Sequence, residues 1–313
     1  MINSNDPVVD ILLATYNGGQ YLHEQLISVQ QQQFTNWRLL IHDDGSHDNT
    51  LNIIEQFVQR DPRIVWLQDN IQGLGPAGNF LHLLKHSKAN YIAFADQDDY
   101  WQPKKLARQL AFIREKEKQQ NGQAMAVYCN AHYWKDGKVV KKQVNILHPQ
   151  QLSQQLFLNG GIVGCSIVFN RALLDRLLPL PTRVAMHDHF IVTAALVWGH
   201  IYYQDTDLFL YRQHGQNATG MQEYRFIDKM KGQLFSGRPL VDRQHFEAHR
   251  LFYAHYLSTM PEKAVTLFKA YFEIVQTRNL WKRIKLIGKH HFQLAHKKYI
   301  LYLKTILRKT INS

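Results

Sequence analysis

Four short apolar runs separated by amphipathic stretches fill the first hundred residues, and this alternation limits the fold more than any other feature of the chain. Residues 8–14, 38–42, 64–67 and 91–95 are rich in β-branched and large apolar side chains and read as strands. Residues 21–33, 49–59 and 79–88 read as helices, with Leu51, Ile54 and Val58 on one face of the second. Pro103 stands where proline favours the first turn of a further helix. Such a βαβαβαβ order predicts an α/β domain with a mostly parallel, doubly wound sheet flanked by helices. Ligands of such sheets bind outside the carboxyl ends of the strands.

Three of those ends carry site-type residues: Thr15-Tyr16-Asn17, Asp43-Asp44-Gly45-Ser46 and Asp96-Gln97-Asp98-Asp99. No Gly-x-Gly-x-x-Gly follows the first strand and no Gly-Lys-Ser/Thr loop is present, so neither a dinucleotide fingerprint nor a phosphate loop is expected. Carboxylates crowded like Asp96, Asp98 and Asp99 repel one another unless a cation neutralises them. Mg²⁺ or Mn²⁺ suits oxygen ligands and leaves positions that diphosphate oxygens can fill. The bland alternative is an acidic turn that caps the helix after Pro103. Asp43 and Asp44 can accept hydrogen bonds from a base or a ribose, and Asp48 can cap the next helix. Asp188, after His187, is either a general base or an N-cap. Arg212 and His214 can contact a diphosphate or a metal.

Residues 124–169 look β-rich, with a turn at Lys135-Asp136-Gly137-Lys138 and with Asn159-Gly160-Gly161 leading into a strand over 162–169. An apolar helix over 190–198 and two short strands ending in Tyr211-Arg212-Gln213-His214 follow. Beyond that the composition changes. Residues 1–220 hold 19 basic and 19 acidic residues, whereas 221–313 hold 18 and 6, so the whole net charge of +12 sits in the tail. The division expected is a domain over 1–220 and a helical basic region over 221–313. Leu280, Ile284, Ile287 and Leu294 share a helical face opposite Lys282, Lys285 and Lys289. A basic amphipathic helix suits an anionic membrane surface, or is a solvated face on a helix packed against the main domain. Nucleic acid is not expected, because the site-bearing part is not basic and carries no familiar motif. The 45% hydrophobic and 20% charged content excludes a disordered, collagenous or polytopic membrane chain. The apolar stretch over 162–169 is too short to span a bilayer, and the N-terminus lacks the basic region of a secretory signal. Two cysteines, Cys129 and Cys165, exclude a disulfide scaffold and fit a reducing, cytoplasmic setting.

Taken together, several motifs resemble the family 2 glycosyltransferases, inverting enzymes of the GT-A fold. They are Ala14-Thr15-Tyr16-Asn17; Asp43-Asp44-Gly45-Ser46 with Asp48-Asn49-Thr50; Asn70 with Gly73 and Asn79-Phe80; and Asp96-Gln97-Asp98-Asp99-Tyr100-Trp101. Further along come Gly164-Cys165, Phe169-Asn170-Arg171, His187-Asp188 and Tyr211-Arg212-Gln213-His214 with Asn217. The Asp-Gln-Asp-Asp-aromatic-Trp form and the Tyr-Arg-Gln-His ending are similar to a rhamnosyltransferase-like branch that acts in bacterial surface polysaccharides. The resemblance implies that Thr15, Tyr16, Asn17, Asp43, Asp44, Asn79, Asp96 and Arg212 hold a UDP- or dTDP-sugar. It implies that Asp98, with His214, binds Mn²⁺ or Mg²⁺, and that Asp188 deprotonates the acceptor hydroxyl. Many relatives carry Glu-Asp where this chain has His187-Asp188. The processive relatives' Gln-x-x-Arg-Trp motif is absent, which favours transfer of one sugar at a time. The expectation is a transferase acting on a lipid-linked or lipopolysaccharide glycan, peripheral on the inner face of the cell membrane. A nucleotide-sugar hydrolase or nucleotidyltransferase, and a non-catalytic sugar-nucleotide-binding scaffold, are the competing readings.

Overall fold

The protein is described by a computed structural model covering residues 8–120, 122–135, 137–158, 161–214, 239–294 and 297–311. Asn159, Gly160, Asp136 and Asn217 of the sequence motifs lie outside the described residues. The chain divides into two compact units, Met1–Ile146 with Ile162–His214, and Leu147–Gly161 with Gly215–Ser313.

The first unit opens as the hydrophobic alternation dictates. Strands β1 (Val9–Thr15), β2 (Trp37–Asp43), β3 (Ile64–Trp66) and β4 (Tyr91–Asp96) alternate with helices α1 (Leu22–Gln30), α2 (Thr50–Arg60) and α3 (Gly75–His86). The four strands pair in parallel in the order β3-β2-β1-β4. Their buried side chains include Ile11, Leu13, Leu39, Ile41, Ala93 and Ala95, which pack with Leu22, Leu26, Ile54 and Phe57 of the helices. Helix α3 starts earlier than the periodicity suggests, with Pro76 in its first turn.

The second half of the sheet is mixed. It adds β5 (Tyr100–Trp101), β6 (Ala124–Lys135), β7 (Lys138–Gln143), β8 (Ile167–Asn170) and β9 (Gly199–Arg212), with α4 (Lys105–Gln119), α6 (Arg171–Leu177) and α7 (His187–Trp198) against it. Strand β8 runs antiparallel to both β4 and β6, while β9 runs parallel to β6. Two expectations are corrected here. Instead of one strand over 162–169, Gly164–Ser166 forms a 3₁₀ turn ahead of β8, closed by the Ser166 hydroxyl donating to the Val163 carbonyl at 2.6 Å. Instead of two short strands before His214, β9 is one long strand whose pairing with β6 shifts register around Asn130. The Asn130 side chain donates there to the Asn145 carbonyl and to the Tyr203 hydroxyl. The polar Gln204-Asp205-Thr206-Asp207 stretch therefore looks like a turn but continues as a partly exposed strand.

In the second unit, α5 (Leu152–Gln155) packs with α8 (Arg243–Tyr256), α9 (Glu262–Gln276), α10 (Leu280–Lys289) and α11 (Lys298–Leu307). Phe157 contacts the rings of Tyr271 and Phe292, so the 147–161 excursion supplies core to the tail. The charge boundary near 220 gives no hint of this excursion. On α10, Ile287 and Arg283 face the interior while Lys282, Lys285 and Lys289 are exposed. Leu294 falls beyond the helix end and pairs with Lys297 in an isolated bridge. The apolar stripe predicted for a membrane thus turns inward at Ile287. No helix among the described residues is long and apolar enough to cross a membrane.

One buried acid fastens the parallel half. Asp10 on β1 accepts from Arg38 Nε and Nη2 at 2.9 and 3.0 Å, from the Ser87 hydroxyl at 2.9 Å, and from the Lys88 and Ala89 amides at 2.8 and 3.0 Å. Removing it strands a guanidinium and two amide donors. Asp10→Ala is expected to lower stability by about 3 kcal/mol in urea denaturation.

Candidate active site

The register of the parallel strands sets the site. Thr15 lies opposite Asp43, and Ala14 lies opposite Asp96, so three strands end at one level of the sheet. The loops beyond them are cross-linked. The Gln97 side chain accepts from the Tyr16 amide at 2.9 Å and donates to the Tyr16 carbonyl at 3.1 Å, tying the β4 loop to the β1 loop. Gly18 is needed at this contact, because a Cβ there would stand 2.2 Å from Gln97 Oε1. Asn17, in a left-handed conformation with φ 47°, accepts from the His47 amide and donates its own amide to the Ser46 hydroxyl. Asp48 accepts from the Gly19 and Thr50 amides, so it both caps the start of α2 and holds the β1 loop.

Several residues expected to touch the donor are committed inside this frame. Asp43 accepts four hydrogen bonds, from the Thr15 and Ser46 hydroxyls and the Gly45 and Ser46 amides, which fills a carboxylate's capacity. Thr15 is buried with its hydroxyl on Asp43. Asn79 is buried too, with its amide on the His42 and Thr15 carbonyls and its oxygen facing His42 Nδ1. Thr15, Asp43 and Asn79 therefore brace the strand ends. Asp44 accepts from the Leu74 and Gly75 amides at 2.7 and 2.8 Å, capping α3 and keeping an open acceptor site on each oxygen. Tyr16 and Asn17 present the open surface, Tyr16 being 54% exposed.

Beyond β4 the carboxylates gather. Asp98 Oδ2 is 2.7 Å from His214 Nε2, which joins two sequence candidates 116 residues apart. Asp96 and Asp99 lie close to the Cys165 thiol, with the three ligand atoms within 4.8 Å of one another. Desolvation first, then the Asp98 charge, with Asp188 adding a smaller share, push the Asp96 carboxyl up to about 7. Burial, then the Asp98 and Asp96 charges, push Asp99 well above the usual carboxylate range. The thiol, pushed up by burial and by both acids, stays neutral. A carboxylate cluster held in this way lacks positive charge, and a divalent cation at Asp98 and His214 fits that need.

Arg212 packs against the Asp98 loop. Its Nε donates to the Asp98 carbonyl at 2.9 Å, and its guanidinium lies 3.8 Å from the Trp134 ring centroid and 4.7 Å from that of Tyr21. It also pairs with Glu24. The arginine thereby orders the Asp98 loop. Glu24 is the site residue that sequence reasoning missed, while Gln97 stood in the Asp96–Asp99 motif without a role of its own. Glu24 belongs to no recognisable spacing, and the pairing of β5 with β9 brings residue 24 near residue 212.

Asp188 occupies the first turn of α7, where the helix dipole favours an anion, and accepts from the His189 amide at 2.6 Å. The preceding His187 is buried, stacked on Phe80 with centroids 3.8 Å apart and edge-on to Phe94. Burial pulls its pKa down to about 3, so it stays neutral. It cannot replace a carboxylate at that position.

The comparisons with known proteins agree with this geometry. The family model described as Glycosyl transferase family 2 matches residues 10–178. The chain belongs to family 2 and is a glycosyltransferase. It is 29% identical over 225 residues to the dTDP-rhamnosyl transferase RfbG of Shigella flexneri, covering 66% of this chain and 73% of that protein. It is 31% identical over 172 residues to an Escherichia coli enzyme, UDP-Glc:alpha-D-GlcNAc-diphosphoundecaprenol beta-1,3-glucosyltransferase WfgD, covering 55% of this chain and 63% of that one. The match to WfgD, and that to the putative teichuronic acid glycosyltransferase TuaG of Bacillus subtilis, thus span less than two thirds of the relative. Among solved structures, residues 1–349 of S. aureus TarS in complex with UDP-GlcNAc superpose with a TM-score of 0.59 at 17% identity, over 95% of this chain and 88% of that one. The fold is GT-A.

The raised Asp96 carboxyl has a measurable consequence. A carboxyl whose folded pKa lies above its unfolded value binds a proton more tightly when folded. Stability from this group is therefore present below about pH 4 and is lost as pH rises to about 7. Asp96→Asn should raise the melting temperature of chelator-treated protein at pH 8, with the gain vanishing near pH 4.

Proposed function

We propose that this chain is an inverting, metal-dependent transferase that moves one sugar from a UDP- or dTDP-sugar to a hydroxyl of a lipid-linked or lipopolysaccharide glycan. The observation that carries this reading is the convergence of Asp96, Asp98, His214 and Asp188 beyond one end of the sheet. Asp98 and His214 would hold Mn²⁺ or Mg²⁺, which would supply positive charge against a diphosphate leaving group. The β1 loop, with Tyr16 and Asn17 exposed and Asp44 retaining acceptor capacity, offers the nucleoside surface. Asp188, at the start of α7, accepts the proton of the acceptor hydroxyl as that oxygen attacks the anomeric carbon. One displacement inverts that carbon, and the protein forms no covalent intermediate with the sugar. The printed substrates of RfbG and WfgD, a dTDP-rhamnosyl donor and a diphosphoundecaprenol-linked acceptor, support the choice of substrate class. A mannosyltransferase from Pyrobaculum calidifontis bound to GDP-Man and Mn²⁺ shares the fold at a TM-score of 0.53, which supports the metal.

The test is a panel of UDP-, dTDP- and GDP-sugars offered with and without Mn²⁺. Asp98→Asn is expected to lose metal-dependent donor binding. Asp188→Asn is expected to keep donor binding and to lose transfer by about 10²- to 10⁴-fold. Free sugar without glycosylated acceptor would replace transfer with hydrolysis. Failure of folded protein to bind any nucleotide sugar would leave only the scaffold.

The second unit is proposed to dock on an anionic membrane surface at the cytoplasmic face. Exposed Lys282, Lys285 and Lys289 flank Trp281, which is 81% exposed, and α11 leaves Tyr299, Leu303 and Ile306 in solvent. Lysines beside solvent-facing aromatic and aliphatic side chains match a headgroup layer. Replacing the three lysines with glutamine should weaken co-sedimentation with anionic vesicles by roughly a hundred-fold, at about 1 kcal/mol each, without affecting neutral vesicles. Equal binding by the variant would remove this role.

A further inference from the structure

A second cluster of metal-type ligands lies away from the carboxylate site, on the side of β2 that α3 covers. His42 on β2 and His82 on α3 are buried, and Asp69, in the connection between β3 and α3, is partly exposed beside them. Asp69 Oδ1 is 3.3 Å from His42 Nε2, and Asp69 Oδ2 is 2.6 Å from His82 Nε2. One ligand atom from each residue falls within 4.8 Å of the others. Tetrahedral Zn²⁺ with bonds of about 2.0–2.1 Å places its donors roughly 3.3 Å apart, so a small opening of the His82 contact seats the ion. Asp69 also accepts from the Ile71 amide, which fixes the loop around it.

The hydrogen bonds of Asn79 assign the tautomer of His42. The Asn79 amide nitrogen faces two carbonyls, those of His42 and Thr15, so its NH₂ is fixed on that side. Its oxygen therefore faces His42 Nδ1 at 2.9 Å and requires a proton there. The lone pair of a neutral His42 is then on Nε2, pointed at a carboxylate. That contact is repulsive unless a cation stands between them or the ring takes a second proton. An imidazole whose far nitrogen donates to a fixed acceptor while its near nitrogen faces an acid is arranged as metal ligands usually are. His86 stands one turn beyond His82 on the same face of α3, with ring centroids 4.9 Å apart.

We propose that His42, Asp69 and His82 form a site for a Zn²⁺-class divalent cation that fastens the β3–α3 connection to the sheet. Two imidazoles and one carboxylate favour Zn²⁺ over Mg²⁺ or Mn²⁺, which prefer oxygen. The same connection supplies the Leu74 and Gly75 amides to Asp44, so the ion would stiffen one wall of the strand-end site. This inference stands whether or not the chain transfers sugar.

The test uses the full chain stripped with a chelator and titrated with Zn²⁺ alone against a chromophoric competitor. Asp98→Asn removes the Asp98–His214 candidate site and serves as the background. That variant should still bind one equivalent. Adding Asp69→Asn or His82→Gln to it should weaken binding at least about ten-fold. On the Asp98→Asn protein itself, the imidazole NMR signals of His42 and His82 should shift with Zn²⁺ while the His42 Nδ1 proton persists. Unshifted signals, or Zn²⁺ affinity equal with and without Asp69 and His82, would overturn the proposal.

Discussion

Parallel pairing of β1 with β2 and β4 in a single register is the constraint on which the rest of the protein depends. It ends three strands at one height, and whatever polar residues follow them must share a small space. Side chains from one strand could not build this site. Asp43 has its bonds completed by the β1 and β2 loops, and this sets where Tyr16 and Asn17 emerge. Asp10 does comparable work at the opposite end of β1, where it pulls the chain entering β4 onto β1 and β2. A shift of one residue in that register would turn Thr15 away from Asp43 and undo both ends.

Charge supplies the second layer. A parallel sheet with helices on its faces leaves its strand ends poorly solvated, and this chain places Asp96, Asp98 and Asp99 there. Burial and mutual repulsion raise the Asp96 and Asp99 carboxyls in the absence of a cation. Lys105, buried and donating to Gln109, has its own pKa pulled down by desolvation and is no full counterion. The cluster is thus an energetic debt in the fold that the proposed cation would relieve. His214 and Arg212, arriving on the end of β9, order the Asp98 loop from the other side.

Much of the scaffold was legible because hydrophobic periodicity is local. The four parallel strands and their helices appear in the sequence to within a few residues, since each buries a face that its own spacing defines. The second half was less legible. The polar run at Gln204-Asp205-Thr206-Asp207 mimics a turn, and Gly164-Cys165-Ser166 mimics strand, because their conformations depend on Asn130 and His187 respectively. The excursion over 147–161 carries no change of charge to mark its exchange of unit.

The sequence by itself determined the α/β order, the acidic strand ends, the Asp188 position at a helix start and the basic tail. All are features of neighbouring residues. Only the tertiary structure decided which acids stay exposed and which brace the loops. It turned Thr15, Asp43 and Asn79 inward, paired Asp98 with His214, and placed Glu24 on Arg212. It also set His42, Asp69 and His82 around a common point. The physical reason is that hydrogen-bond saturation, desolvation and ligand geometry depend on groups tens of residues apart, and these meet only when the strands have paired.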